Sequence, residues 1–166
     1  MKLKTATLGL ALLMLAGCGD LGLGQYKLES GTYKVSSATL ASGSDTCGLL
    51  GAYTNPAKEI GISAGTETVT FNLPNDPTLE TIKMPTATLT HNSLVKLNEA
   101  NFITDWNGDC VTRTVSYVDG DVTADNSAAL VLTYSVTREA GTCGSESTIY
   151  PTVPCSSNIH FLANKQ

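Results

Sequence analysis

The sequence predicts an all-β domain, an antiparallel up-and-down β-barrel of about eight strands, with a two-sheet β-sandwich as the alternative. Three observations carry that expectation. Strand and turn formers dominate the composition, with 23 Thr and 15 Gly among 166 residues, and only 15% of residues are charged. Apolar residues recur at every second position in one segment after another. Turn dipeptides separate those segments, and helical periodicity is nearly absent.

In chain order, the first strand opens at Gly31, where Tyr33 and Val35 alternate with Thr32, Lys34 and Ser36. Val69, Phe71 and Leu73 alternate with Thr68, Thr70 and Asn72; Val111, Val115 and Tyr117 share a side opposite Thr112, Thr114 and Ser116. The longest pattern sets Leu130, Leu132, Tyr134 and Val136 against Thr133, Ser135 and Thr137, and the last strand offers Ile159 and Phe161. Each run reads as a half-buried antiparallel strand. Weaker strands are expected at Thr81 to Met84, Thr86 to Thr90, Leu94 to Leu97 and Phe102 to Trp106, with a short helix over Leu94 to Phe102 as the competing reading. Pro74-Asn75-Asp76-Pro77, His91-Asn92, Asn107-Gly108 and Asp119-Gly120 mark turns, and the last two favour tight hairpins.

Two lysines in residues 1–4 precede an uncharged stretch from Thr5 to Gly17. As a helix, 13 residues reach about 20 Å against the roughly 30 Å of a bilayer core, so the segment reads as an export signal and not as a span. It ends in Leu15-Ala16-Gly17-Cys18, which resembles the lipobox of bacterial lipoproteins at every position. That resemblance implies a diacylglyceryl group on the Cys18 sulfur, removal of residues 1–17 and acylation of the new terminus with fatty acids such as palmitate. Two or three buried chains, at about 0.8 kcal/mol per methylene, anchor a domain durably where one would not. Residues 18–30, with Gly19, Gly22 and Gly24, read as a lipidated flexible tether, and residues 31–166 as a single β-barrel domain.

Removing residues 1–17 and their two lysines leaves 149 residues and takes the formal charge from −5 to −7. An acidic body is mildly repelled by an anionic membrane and lacks the basic stripe that binding to nucleic acid requires. The resemblance implies an outer-membrane destination, because Gly19 follows the lipidated Cys and Asp20 comes one place later.

With Cys18 assigned to lipid, Cys47, Cys110, Cys143 and Cys155 remain. An even set in an exported domain implies disulfides, and four cysteines allow three connectivities. Cys143 with Cys155 and Cys47 with Cys110 is the favoured pairing, since Gly144 to Pro154 looks like a loop that the first bridge would close. Zinc is the rival reading, without any C-x-x-C spacing to support it.

The order of a Gly31-Thr32-Tyr33 opening, a Cys-containing loop, a meander and a Cys-stapled final strand resembles a small lipocalin-like or calycin-like barrel. Tyr33 stands where the lipocalin G-x-W motif has Trp, so the resemblance implies a barrel and transfers no site. Gly61-Ile62-Ser63-Ala64-Gly65 matches the G-x-S-x-G nucleophile elbow, and Asp121 and His160 follow in the hydrolase order. That chemistry needs a strand before Ser63 and a helix after it, whereas a strand pattern follows, so the segment reads as a Gly-rich loop. Asp105, Asn107 and Asp109 space three oxygen side chains as a calcium loop would, with Asp119 and Asp121 as further donors. Cys110 and Ser116 occupy the places where an EF-hand has Gly and Glu. Arg113 shares the side of Val111, Val115 and Tyr117, from which it could meet an anionic ligand inside a barrel; Arg138 continues the side of Tyr134 and Val136. His91 and His160 read as surface residues.

The expected function is non-catalytic. A membrane-anchored domain of the cell envelope holds a small apolar ligand among Tyr33, Phe71, Leu132 and Tyr134, or fills its interior and meets an envelope protein through its loops. The alternative is a secreted-type hydrolase using Ser63. No cofactor is expected.

Overall fold

Alternation of apolar and hydroxylated residues builds nine strands and one short helix among the residues that the computed structural model describes, which are 25–54, 58–73, 85–106, 110–143 and 153–166. Strand β1 (Gly31–Leu40) is followed by helix α1 (Leu49–Thr54), β2 (Glu59–Ala64), β3 (Thr68–Asn72), β4 (Thr86–Thr90) and β5 (Ser93–Asn98). Then come β6 (Ala100–Trp106), β7 (Cys110–Ala124), β8 (Ser127–Gly141) and β9 (Cys155–Lys165). Residues 1–24, with Cys18 and the export segment, lie outside the described residues, as do Thr81 to Met84, Pro74 to Pro77 and Asn107-Gly108.

All pairings are antiparallel, and the sheet order is β5-β4-β3-β2-β1-β9-β8-β7-β6. Strands adjacent in sequence lie side by side, except β5 and β6, which both use one edge of β7. β1 and β9 meet across the chain ends, with Lys34 opposite Asn164 and Leu40 opposite Ile159. β5 pairs with β7 at Ser93 opposite Asp121 and Leu94 opposite Gly120, and Lys96 lies 4.4 Å over the Tyr117 ring; β6 takes over the same edge with Ala100 opposite Ser116. The sheet thus curls into a ring that is not a regular barrel.

The all-β class matches the sequence-based expectation, and the described strands number nine instead of about eight. Two local expectations are corrected. Gly61 to Gly65 is not a loop, because Gly61 to Ala64 form most of β2 with Ile60 and Ile62 buried. Asp119-Gly120 is not a hairpin: β7 runs through both residues and turns at Asp125-Asn126. Gly120 is needed there for closeness, since its φ is 143° and a Cβ would stand 2.1 Å from the Ala129 carbonyl oxygen. Over Leu94 to Phe102 the strand reading holds and the helix does not form.

The helix appears instead at Leu49–Thr54. The Asp45 carboxylate caps it, accepting the amide protons of Leu49 and Leu50 at 2.9 and 2.7 Å. Leu49 and Tyr53, one turn apart, bury one side, and Tyr53 stacks on Phe161 with centroids 5.4 Å apart.

Strand directions sort the connections into two ends. At the turn end lie the tight connections Gly65–Glu67, His91–Asn92 and Asp125–Asn126, together with residues 25–30. At the other end lie α1, both disulfides, the ends of β3, β6 and β8 and the starts of β4, β7 and β9.

The favoured disulfide pairing is corrected to Cys47–Cys155 and Cys110–Cys143, with Cα separations of 5.0 and 4.8 Å. Register is the cause. Cys155 faces Val136, seven residues before Cys143 on the β8 side, or roughly 23 Å along a strand and beyond the reach of a disulfide. Cys110 faces Gly141, so Cys143 is close at hand. Residues 41–47 run beside β9, with the amides of Ala41 and Thr46 donating to the carbonyls of Asn158 and Ser156, which brings Cys47 to Cys155.

Candidate functional site

The interior is built by the inward faces of β1 to β5 and β7 to β9. Tyr33, Phe71, Leu132 and Tyr134 are each 0% exposed and belong to one buried cluster with Val35, Leu130 and Phe161. The four residues expected to line an interior are thus brought together, as one packed core.

β7 shows the largest departure from expectation. Its inward side carries Cys110, Thr112, Thr114, Ser116 and Val118, whereas Val111, Val115 and Tyr117 are half-buried on the outer side. The side chosen by hydrophobicity is the wrong one. Three hydroxyls therefore line the interior near its disulfide end, where Trp106 Nε1 donates to Thr112 Oγ1 at 3.0 Å. Ser157, also inward, donates its hydroxyl to the Asp45 carboxylate. Ser116 Oγ is buried without a hydrogen-bond partner among the described residues.

Arg113 therefore points outward. Its guanidinium donates to Glu139 from Nε at 2.8 Å and to Asn101 Oδ1 from Nη1 at 2.9 Å, and its side chain is 36% exposed. The Glu139 carboxylate raises the Arg113 pKa, and the Arg113 hydrogen bond lowers that of Glu139. An interior anion site through Arg113 is excluded by this placement. Arg138 is exposed at the end of β8.

Ser63 is exposed in β2 opposite Thr70, with β3 following, so the strand-turn-helix of a nucleophile elbow does not form. His160 lies between Thr39 and Val131 on the side away from Ile159 and Phe161, and His91 occupies an exposed turn at φ 55°. Of the calcium candidates, Asp105 is exposed on β6, and Asn107 and Asp109 lie outside the described residues. Asp119 and Asp121 share the outer side of β7, where burial first and the Asp121 charge second raise the Asp119 pKa. Among the described residues, no group of three or more His, Cys, Asp or Glu is placed to hold a metal, and no helix is long and apolar enough to cross a membrane.

The feature that sequence reasoning missed is a strap. Residues 25–30, expected as part of a flexible tether, are fastened across the turn end. The amides of Tyr26, Lys27 and Glu29 donate to the side chains of Asn92, Asp125 and Asn126 at 2.8 to 2.9 Å, and the Asn126 amide donates back to the Lys27 carbonyl. Leu28 is buried beneath. The buried Tyr33 hydroxyl donates to the Glu29 carbonyl at 2.8 Å, and desolvation raises its pKa. Glu29 accepts from Lys165 at 2.7 Å and from Lys27 at 3.2 Å; these bonds hold its carboxyl at about 2, well below 4.5. A groove of about 670 Å³ runs between the strap and the residues Ala64, Gly65, Thr66 and Leu89. The sequence did hold a signal for the strap: Asn92, Asp125 and Asn126 are turn residues with side-chain acceptors to spare.

Set beside known protein families, curated proteins and solved structures, the chain matches none of them.

Proposed function

We propose that the chain is a lipoprotein of the bacterial cell envelope, anchored through Cys18, most naturally in the outer membrane, and that its β-domain acts by binding and not by catalysis. The observation that carries this reading is the cysteine pairing. Four of the five cysteines join in two disulfides, the pattern typical of an oxidising compartment, and Cys18, in its lipobox-like setting, is the one left over. The domain reads as a distorted up-and-down barrel of the lipocalin-like kind, a reading supported by the sequential hairpins and the β1–β9 seam.

Of the two modes of binding, contact through the loops and outer surface is the better supported. Tyr33, Phe71, Leu132 and Tyr134 occupy the interior as packed core, so an apolar ligand would enter only by displacing them. The partner is then an envelope protein or surface. The deciding experiment is radiolabelled palmitate incorporation with intact-mass analysis of the protein and of Cys18→Ser. Label and acyl mass on a chain beginning at Cys18, both lost in the variant, are expected. An unmodified chain still starting at Met1 refutes the proposal.

A further inference from the structure

Resting on the proposed anchor at Cys18, we infer that the domain is held with its turn end toward the bilayer and its disulfide end away from it. The geometry that carries this is the strap. If residues 18–30 were all free, the leash would extend to the start of β1, thirteen residues on, and reach roughly 45 Å. Fastening begins at Tyr26, whose amide is bound to Asn92, and Leu28 is buried; only the seven residues from Cys18 through Gly24 precede the described strap. However arranged, the eight residues from Cys18 to Tyr26 span at most roughly 29 Å. The fifteen residues of β8 extend roughly 50 Å from the turn end to the other. A leash little more than half that length, attached at one end of the domain, keeps that end near the lipid.

The chemistry of the turn end fits a headgroup surface that is met without insertion. Tyr26 is 41% exposed beside Lys27, whose side chain is 74% exposed, an aromatic and a cation of the kind that settle at a membrane interface. Glu67, Asp121 and Asp125 are exposed at the same end and oppose close approach to anionic lipid. The rim that carries α1, Cys47–Cys155 and Cys110–Cys143 is then the part presented to a partner.

The test uses the full acylated protein in nanodiscs of phosphatidylethanolamine and phosphatidylglycerol, doped with a gadolinium-chelating headgroup lipid, and reads amide signal attenuation. Several-fold stronger attenuation is expected at Glu67, His91 and Asp125 than at Thr39, Gly141 and Asn158. Inserting ten Gly and Ser residues after Gly24 is expected to reduce that difference at least twofold while leaving the fold untouched. Equal attenuation at both ends, or no response to the insertion, overturns the orientation in a sample whose mass shows acyl chains on Cys18. A sample without acyl chains overturns both the orientation and the anchor.

Discussion

Replacing Cys47 and Cys155 together by Ala tests the register of the whole sheet. Their bridge closes a loop with a sequence separation of 108, and the loop-entropy relation gives about 16 cal/mol/K, hence about 4.8 kcal/mol at 25 °C. The separation of 33 between Cys110 and Cys143 gives about 3.7 kcal/mol by the same relation. With about 2.1 cal/mol/K of unfolding entropy per residue over the domain, the two losses correspond to melting temperatures lower by roughly 16 and 12 °C. The assay is thermal unfolding followed by circular dichroism, in a background of Cys18→Ser, with a thiol titration of each unfolded variant. The Cys47→Ala/Cys155→Ala protein is expected to show no free thiol, because its two remaining cysteines are partners. Two free thiols in that protein, or a loss below about 1 kcal/mol, would refute the pairing and with it the placement of Cys155 opposite Val136.

Three further outcomes follow from single positions. Gly120→Ala places a methyl group against the Ala129 carbonyl at a φ that Ala avoids; it is expected to cost about 2–4 kcal/mol in urea unfolding, and an unchanged midpoint would contradict the close approach. Leu28→Ala removes the one buried apolar side chain of the strap and is expected to cost about 2–3 kcal/mol, read in the same assay alongside faster amide exchange at Lys27 and Glu29. Because Glu29 has a folded-state pKa of about 2 against 4.5 when unfolded, its contribution is present above pH 4.5 and is lost as pH falls from there toward 2. Amide exchange in the strap should therefore accelerate over that range in the protein and stay flat in Glu29→Gln.

The fold class was legible because most strands obey one rule. In β3, β8 and β9 the apolar residues at alternate places are the buried ones, so Val69, Leu130 and Phe161 could be assigned inward from pattern alone. β7 broke the rule because both of its sides are amphipathic. Valines and Tyr117 lie on one side and threonines on the other, and neighbours decide between them. The parity of Cys110, Val118 and Val122 held the answer, but Thr112, Thr114 and Ser116 between them diluted it. β2 was hidden by Gly61 and Ser63, whose spacing imitates an enzyme motif, and α1 by its single turn and a half, too short for periodicity to register. The disulfide partners were beyond reach because they depend on strand register, which composition and spacing do not carry. Of the candidate site residues, Tyr33, Phe71, Leu132 and Tyr134 share the interior, as packed core. Arg113 does not, since its assignment inherited the inverted side of β7.

The seam between β1 and β9 has a consequence for how the molecule comes into being. The first strand to leave the ribosome finds its partner only after Lys165 has followed it, so the ring cannot close around a nascent chain. Until then β1 has only β2 beside it, and Cys47 waits through more than a hundred residues of synthesis for Cys155. Under the export proposed above, a polypeptide that stays open for so long would thread a translocation pore unfolded and close on the far side, where oxidation seals it.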